Sequence, residues 1–425
     1  MFIGYFTERP YQDPAARFFG ASKEELTDLV LSNADYDSNV AHDLYNRYFD
    51  EKLYAERMGF DGLMLNEHHS TPFTMGSVCN IEAAILARIT SRAKIVLLGN
   101  LLAVRSDPVF LAEELAMIDV ISKGRLISGW VRGTGRESLS HNAQTPFNWE
   151  RFQEAHELIV KTWTEPGPFR WEGRHHQLRY VNPWAKPYQK PHMPIWVPGV
   201  LSYNTLEWAA RKRYPYIMTA TDEEPTRQCF EIYRKIANDN GYDAGPQNYG
   251  YMVKVHVDET EELAEATAEK LLQGPSNPFL EGNQGTVKPW LQALPGLSSR
   301  QNMLPTVAAR ANLAGRGIST TGFAPGTYQD QRAKRGIIAG TPKSVLAQLR
   351  SALENVRPGI IMIWDGDGAM THDDAMRSLR LMGSEVLPRI REFAKELDLP
   401  GPFEVDPATG VNLSATSEAA PAPGD

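Results

Sequence analysis

The feature that most limits what this chain can fold into is its rhythm. From residue 41 onward, short apolar runs alternate with longer stretches of helical periodicity. Phe2 to Phe6 reads as an opening strand, and a helix is predicted from about Ala41 to Met58. Further strands are expected at Leu63 to Leu65, Lys94 to Leu98, Arg125 to Val131, Pro194 to Val197, Tyr216 to Thr219, Tyr251 to Val257 and Ile360 to Trp364. Between them lie helical patterns of roughly 10 to 20 residues, among them 81–91, Trp149 to Trp163 and Pro225 to Asn238. Strands alternating with helices mean βαβ units and a parallel sheet. The strand count approaches the eight of a closed (β/α)₈ TIM barrel, with an open doubly wound sheet as the alternative.

Two segments break the rhythm. Residues 274–340 are rich in Gly, Pro, Asn and Gln, yet carry Phe279, Trp290, Phe323 and Tyr328. An insertion of this length in a compact domain is expected to be a lid or binding loop. The chain is therefore read as one barrel domain over 1–400 with an insertion at 274–340. Residues 401–425 are read as a disordered tail, because the stretch from about Asp406 holds too little apolar surface to order itself.

Composition removes several function classes. A net charge of −8 with no long basic run argues against nucleic acid and against anionic membranes. No run reaches the ~18 apolar residues of a membrane span, and the N-terminus does not read as a signal peptide. Two cysteines, Cys79 and Cys229, form neither a disulfide framework nor a Cys-based zinc site, which fits a cytoplasmic location.

In a barrel of this type the reactive groups gather at the C-terminal ends of the strands. That rule selects Glu67-His68-His69, Asn100-Leu101-Leu102, Arg132-Gly133, the segment from Gly199 to Thr205, and Asp365-Gly366-Asp367-Gly368. Neighbours on an extended strand face opposite ways, so His68 and His69 are badly placed to share an ion, and no metal site is expected. Ser202 and Thr205 open a helix whose unpaired N–H groups, with the fork of Arg132, suit an anion such as a phosphate. The plain alternative is a simple N-cap by Ser202. Gly133-Thr134-Gly135 lacks the third glycine of a dinucleotide fingerprint, and neither a Walker lysine loop nor a GxSxG elbow is present.

These stretches carry a resemblance. GFDGLMLNEHH (59–69), SKGRLISGWVRG (122–133), PYQKPHMPIWVPG with SYNTLEWAA (187–210) and WERFQEAHELIVKTW (149–163) are similar to the bacterial-luciferase-like monooxygenases. The resemblance implies a TIM barrel holding reduced FMN over its C-terminal face, with molecular oxygen as oxidant by way of a C4a-hydroperoxide. It implies that His68 is the catalytic histidine and Glu67 a flavin-proximal acid. Asn100, Leu101 and Leu102 fall beside the ring, and Arg132, Ser202, Tyr203 and Thr205 at the phosphate. It further implies a mostly apolar organic substrate, a separate flavin reductase and a homodimer. Two departures stand out: Val131 replaces a reactive cysteine of the light-emitting subunit, and Leu201 replaces its phosphate-side glutamate. A deazaflavin-dependent oxidoreductase of the same fold and a non-catalytic flavin-binding protein remain alternative readings.

Overall fold

The protein is described by a computed structural model covering residues 1–16, 32–133, 135–199, 202–219, 222–272 and 328–413. Eight parallel strands close on themselves: β1 (Phe2–Phe6), β2 (Gly62–Leu65), β3 (Lys94–Leu101), β4 (Leu126–Val131), β7 (Ile195–Gly199), β8 (Tyr216–Met218), β9 (Tyr249–Val257) and β11 (Ile360–Trp364). Closure is completed by β8 pairing with β9 and β11 with β1. β5 (Phe169–Glu172) and β6 (Gln177–Val181) form a separate antiparallel hairpin. The result is a (β/α)₈ barrel, and the open-sheet alternative falls.

Alternation along each strand sorts side chains into two cores, because successive residues point to opposite faces. Phe2, Phe6, Met64, Val96, Ile127, Trp196, Ile217, Met252 and Met362 fill the barrel. Their neighbours Ile3, Leu63, Leu65, Ile95, Leu97, Leu126 and Trp130 pack outward under the helices. These helices include α1 (Ser38–Arg57), α2 (Cys79–Ile89), α3 (Pro108–Ile121) and, after the short α4 (Gly135–Ser140), α5 (Asn148–Thr164). Gly129 is required where β4 meets β3, since a Cβ there would lie 1.9 Å from the Leu97 carbonyl oxygen. Just beyond, β3 shifts register between Leu98 and Asn100, and the Leu98–Gly99 peptide is cis.

Later elements follow the same pattern with α6 (Tyr203–Lys212), α7 (Glu223–Asp239) and α8 (Glu261–Glu269). Residues 273–327, most of the expected lid, lie outside the described residues. The last residues of that segment belong to the barrel region: α9 (Tyr328–Ala333) leads into β10 (Ile337–Gly340), which pairs with Lys254–Val257 of β9. α10 (Pro342–Val356) follows, and the single helix expected after β11 is two. A π turn over Met382–Val386 separates α11 (His372–Leu381) from α12 (Leu387–Glu396).

Residues 401–413, expected to be unstructured, instead close the N-terminal end of the barrel. Phe403 packs on Phe2 at 5.8 Å, Lys94 lies 4.9 Å over the Phe403 ring, and Glu404 pairs with the chain's amino group. Asn248 donates to the Pro407 carbonyl at 3.0 Å. A few aromatic and charged anchors thus order a stretch whose composition alone predicts disorder. Among the described residues no helix is long and apolar enough to cross a membrane.

Candidate active site at the C-terminal mouth of the barrel

The interior parity of each strand carries through to the mouth. Two residues beyond Phe6 stands Glu8, beyond Met64 come Asn66 and His68, and beyond Met252 is Lys254. His68 Nδ1 lies 3.0 Å from Glu137 Oε1, a fully buried carboxylate on α4. The His68 side chain keeps 21% of its surface exposed and packs on Phe73 at 5.4 Å. A carboxylate at one ring nitrogen fixes the orientation and tautomer of a histidine, the arrangement general acid–base catalysis uses.

Glu67 faces the other way, with Leu63 and Leu65. Its carboxylate receives Arg105 Nη2 at 3.1 and 3.2 Å and sits 3.4 Å from His69 Nε2. The Cys79 thiol donates to it at 3.4 Å, and burial followed by the Glu67 charge pushes that thiol's pKa up, which keeps it a neutral donor. Asn100 also points outward: Nδ2 donates to Asn80 Oδ1 at 2.9 Å, and Oδ1 is buried with no partner among the described residues. Leu101 packs with Val104, Ala143 and Val131, whereas Leu102 lies in the outer core with Trp130. The structure therefore brings His68 to the mouth and leaves Glu67, Asn100 and Leu102 behind it.

The second cluster gathers where β4, β7 and β8 end. Arg132 Nη2 donates to Ser202 Oγ at 2.9 Å, and Thr205 Oγ1 donates to the same hydroxyl at 3.0 Å. Ser202 occupies the N-cap position of α6 but makes no side-chain cap bond. Its hydroxyl serves Arg132 and Thr205, so the simple capping alternative fails. Arg132 stacks over Trp149 at 5.3 Å, has no ion pair among the described residues, and has its pKa lowered by burial. Tyr216, whose pKa burial raises, buries a hydroxyl with no partner among the described residues. A Cβ on Gly199 would stand 2.2 Å from that hydroxyl, so glycine keeps the approach to it open. Tyr203 packs against the outer core at the start of α6. Leu201 lies outside the described residues.

An unpaired guanidinium, three hydroxyls and an open helix N-terminus form a donor set for a phosphate monoester. These residues fit the phosphate of a flavin nucleotide. A separate cavity of about 550 Å³ opens between the loop after β3 and the segment after β4, walled by Val104, Ser106, His141, Gln144 and Arg151 among others. It shares no wall residue with the Arg132–Ser202 cluster. Among the described residues no group of three or more His, Cys, Asp or Glu is placed to hold an ion.

Sequence reasoning missed Glu8, Glu137 and Tyr216. Glu8 follows the strand-end rule, applied to β1 as it was to the other strands. Glu137 lies on a short helix that periodicity does not show, and Tyr216 enters from the start of a neighbouring strand.

A donor cluster and a carboxylate-held histidine on the C-terminal rim of a TIM barrel fit a class of cofactor-dependent oxidoreductases. Comparison gives the family: the luciferase-like monooxygenase model matches residues 41–357, and the chain belongs to that family. The alkanal monooxygenase alpha chain of Photorhabdus luminescens is 26% identical over 190 residues, covering 44% of this chain and 52% of that one. The chain thus spans about half the length of such curated relatives. Among solved structures, the oxygenating constituent of 3,6-diketocamphane monooxygenase from Pseudomonas putida, in complex with FMN, aligns with a TM-score of 0.65. Identity is 17%, with 91% of this chain and 98% of that chain covered. An F420-dependent secondary alcohol dehydrogenase aligns with a TM-score of 0.60 at 14% identity, covering 92% and 99%.

Proposed function

We propose that the chain is the oxygenase component of a two-component monooxygenase that takes reduced FMN from a separate reductase and inserts oxygen from O₂ into a mostly apolar organic molecule. The observation that carries this reading is the Arg132–Ser202–Thr205 cradle on the same rim as the His68–Glu137 pair. When bound, the reduced flavin supplies two electrons for oxygen activation. Arg132 and the two hydroxyls hold the phosphate and so fix the cofactor against the mouth. Glu137 orients the His68 ring, and His68 takes or returns a proton. Leu101 and Val131 shield the neighbouring wall from water.

The homodimer reading finds support in an apolar face on α2 and α3, two helices that pack together. Ile81, Phe110 and Met117 are 62%, 61% and 56% exposed, and Ile85 and Ile89 continue the row at helical spacing. Both thiols are free and buried, as a reducing cytoplasm allows.

The test is isotopic. With reduced FMN and ¹⁸O₂, candidate apolar substrates should yield product carrying one labelled oxygen. Tight binding of a reduced deazaflavin with hydride transfer and no oxygen uptake would instead place the chain with the F420-dependent branch of the fold.

A further inference from the structure

Glu8 is the least expected group at the mouth. It continues the inward parity of Phe2 and Phe6, is only 4% exposed, and has no ion pair among the described residues. The neighbouring Arg9 does not neutralise it. That guanidinium pairs with Glu82 at 2.9 Å and donates to the Thr7 and Asn66 carbonyls, each at 2.9 Å. Arg9 itself adopts a left-handed backbone, φ 61°, and these bonds fix the turn that aims Glu8 inward.

Among the described residues the one side-chain donor to Glu8 is the amide of Asn66. Asp367, beside it, is better served. It accepts from Thr7 Oγ1 at 3.0 Å, from the Glu8 backbone N–H at 2.9 Å and from the Trp364 indole. Two carboxyl groups in one dry pocket do not both ionise readily, and the one with more donors keeps the charge. The donor count therefore favours Glu8 over Asp367 as the carboxyl that keeps a proton. Asn66 Oδ1, buried with no partner among the described residues, is an acceptor that a carboxyl O–H satisfies once the amide is turned. Burial pushes the pKa of Glu8 up to about 7, Asp367 adds to this, and His68 opposes it most strongly. The titratable and charged groups around Glu8 are thus His68 after β2, Asp367 after β11 and Arg9 on its own segment. Lys254 of β9 faces Asp367.

We propose that Glu8 rests as a neutral carboxylic acid and is a second catalytic proton donor, distinct from His68, in the monooxygenation inferred above. With O₂ as oxidant and the reduced flavin supplying two electrons, one oxygen atom enters the substrate and the other leaves as water. In that step the Glu8 O–H bond breaks and a new O–H bond forms on the departing oxygen. The carboxylate left behind is held by the Asn66 amide N–H until it is reprotonated.

The proposal rests on the oxygenase reading, so its test begins on the protein alone. Infrared difference spectra between acidic and alkaline pH should show the carbonyl stretch of a buried protonated carboxyl that disappears near neutrality, and Glu8→Gln should abolish that band. In turnover, wild type should lose rate as pH rises through neutrality. Glu8→Gln should run about 10²–10⁴-fold slower with that limb gone, and Glu8→Asp should recover part of both. FMN binding by each variant checks the fold and the site. Absence of the band, or an unchanged pH limb in a Glu8→Gln enzyme that still binds FMN, would overturn the proposal. Loss of phosphate-dependent FMN binding in wild type would instead overturn the oxygenase reading and leave the infrared result standing.

Discussion

The two ends of this barrel are built from the same eight strands to opposite specifications. At the N-terminal end Phe2, Trp196 and Phe403 interlock, and the chain's amino group and Lys94 find partners close by. At the C-terminal end the interior positions turn polar: Glu8 and Asn66 are buried there, and Asn66 Oδ1 has no partner among the described residues. Buried polar atoms without partners cost roughly 1–3 kcal/mol each. Such a cost at the mouth is what a site built to meet a polar ligand would carry.

The comparison breaks most visibly through His68. His68→Ala should bind FMN nearly as wild type does and turn over about 10²–10⁴-fold more slowly, the usual share of an acid–base group. His69→Ala should do far less, since His69 packs on His141 at 4.2 Å on the Glu67 side. Steady-state rates and FMN titrations of both variants check this, and equal losses would undo the inward–outward distinction.

Trp196→Ala probes the lower, apolar half. Removing a side chain 1% exposed inside the barrel should cost about 3–5 kcal/mol in denaturant unfolding. By contrast, Glu8→Gln should be at least as stable as wild type above neutral pH, because it removes a carboxyl that the fold would rather keep protonated. Wild type should lose stability between the ordinary carboxylate range and about pH 7, where folded Glu8 still holds a proton that the unfolded chain has released.

A pH effect of about 2–4 kcal/mol is expected from the rim behind β9 and β11. Burial alone would lower the pKa of His256, but Asp365 at 3.1 Å and Asp258 at 3.4 Å outweigh it and hold the ring at about 9. The clamp's contribution is complete below the free-histidine pKa near 6.5 and is lost as pH rises through about 9. Melting curves from pH 6 to 10 should show this loss in wild type and much less of it in His256→Gln.

Much of the barrel was legible from sequence because its strands are buried on both faces and its helices amphipathic. Phe2–Phe6 and Ile360–Trp364 fall where their apolar runs do. β10 was not legible: Ile337–Gly340 is four residues at the edge of a Gly-rich stretch, and only its pairing with β9 makes it a strand. Residues 401–413 were missed for a related reason, since their order comes from tertiary contacts that propensity does not encode. That Arg132, Ser202 and Thr205 come together was readable because a helix N-terminus and an arginine at a strand end are local signals. The roles of Glu8 and Asp367 depend on how many donors each carboxyl receives, and no spacing in the sequence states that.

The central claim is that this rim holds a flavin by its phosphate, and Arg132 tests it directly. Fluorescence titration of wild type and Arg132→Ala with FMN and with riboflavin compares a ligand that carries the phosphate with one that lacks it. Losing the guanidinium should weaken FMN binding by about 1.5–3 kcal/mol, the range for a hydrogen bond to a charged group. Riboflavin should bind both proteins almost alike. An equal loss for the two ligands, or no loss for either, would contradict the phosphate assignment.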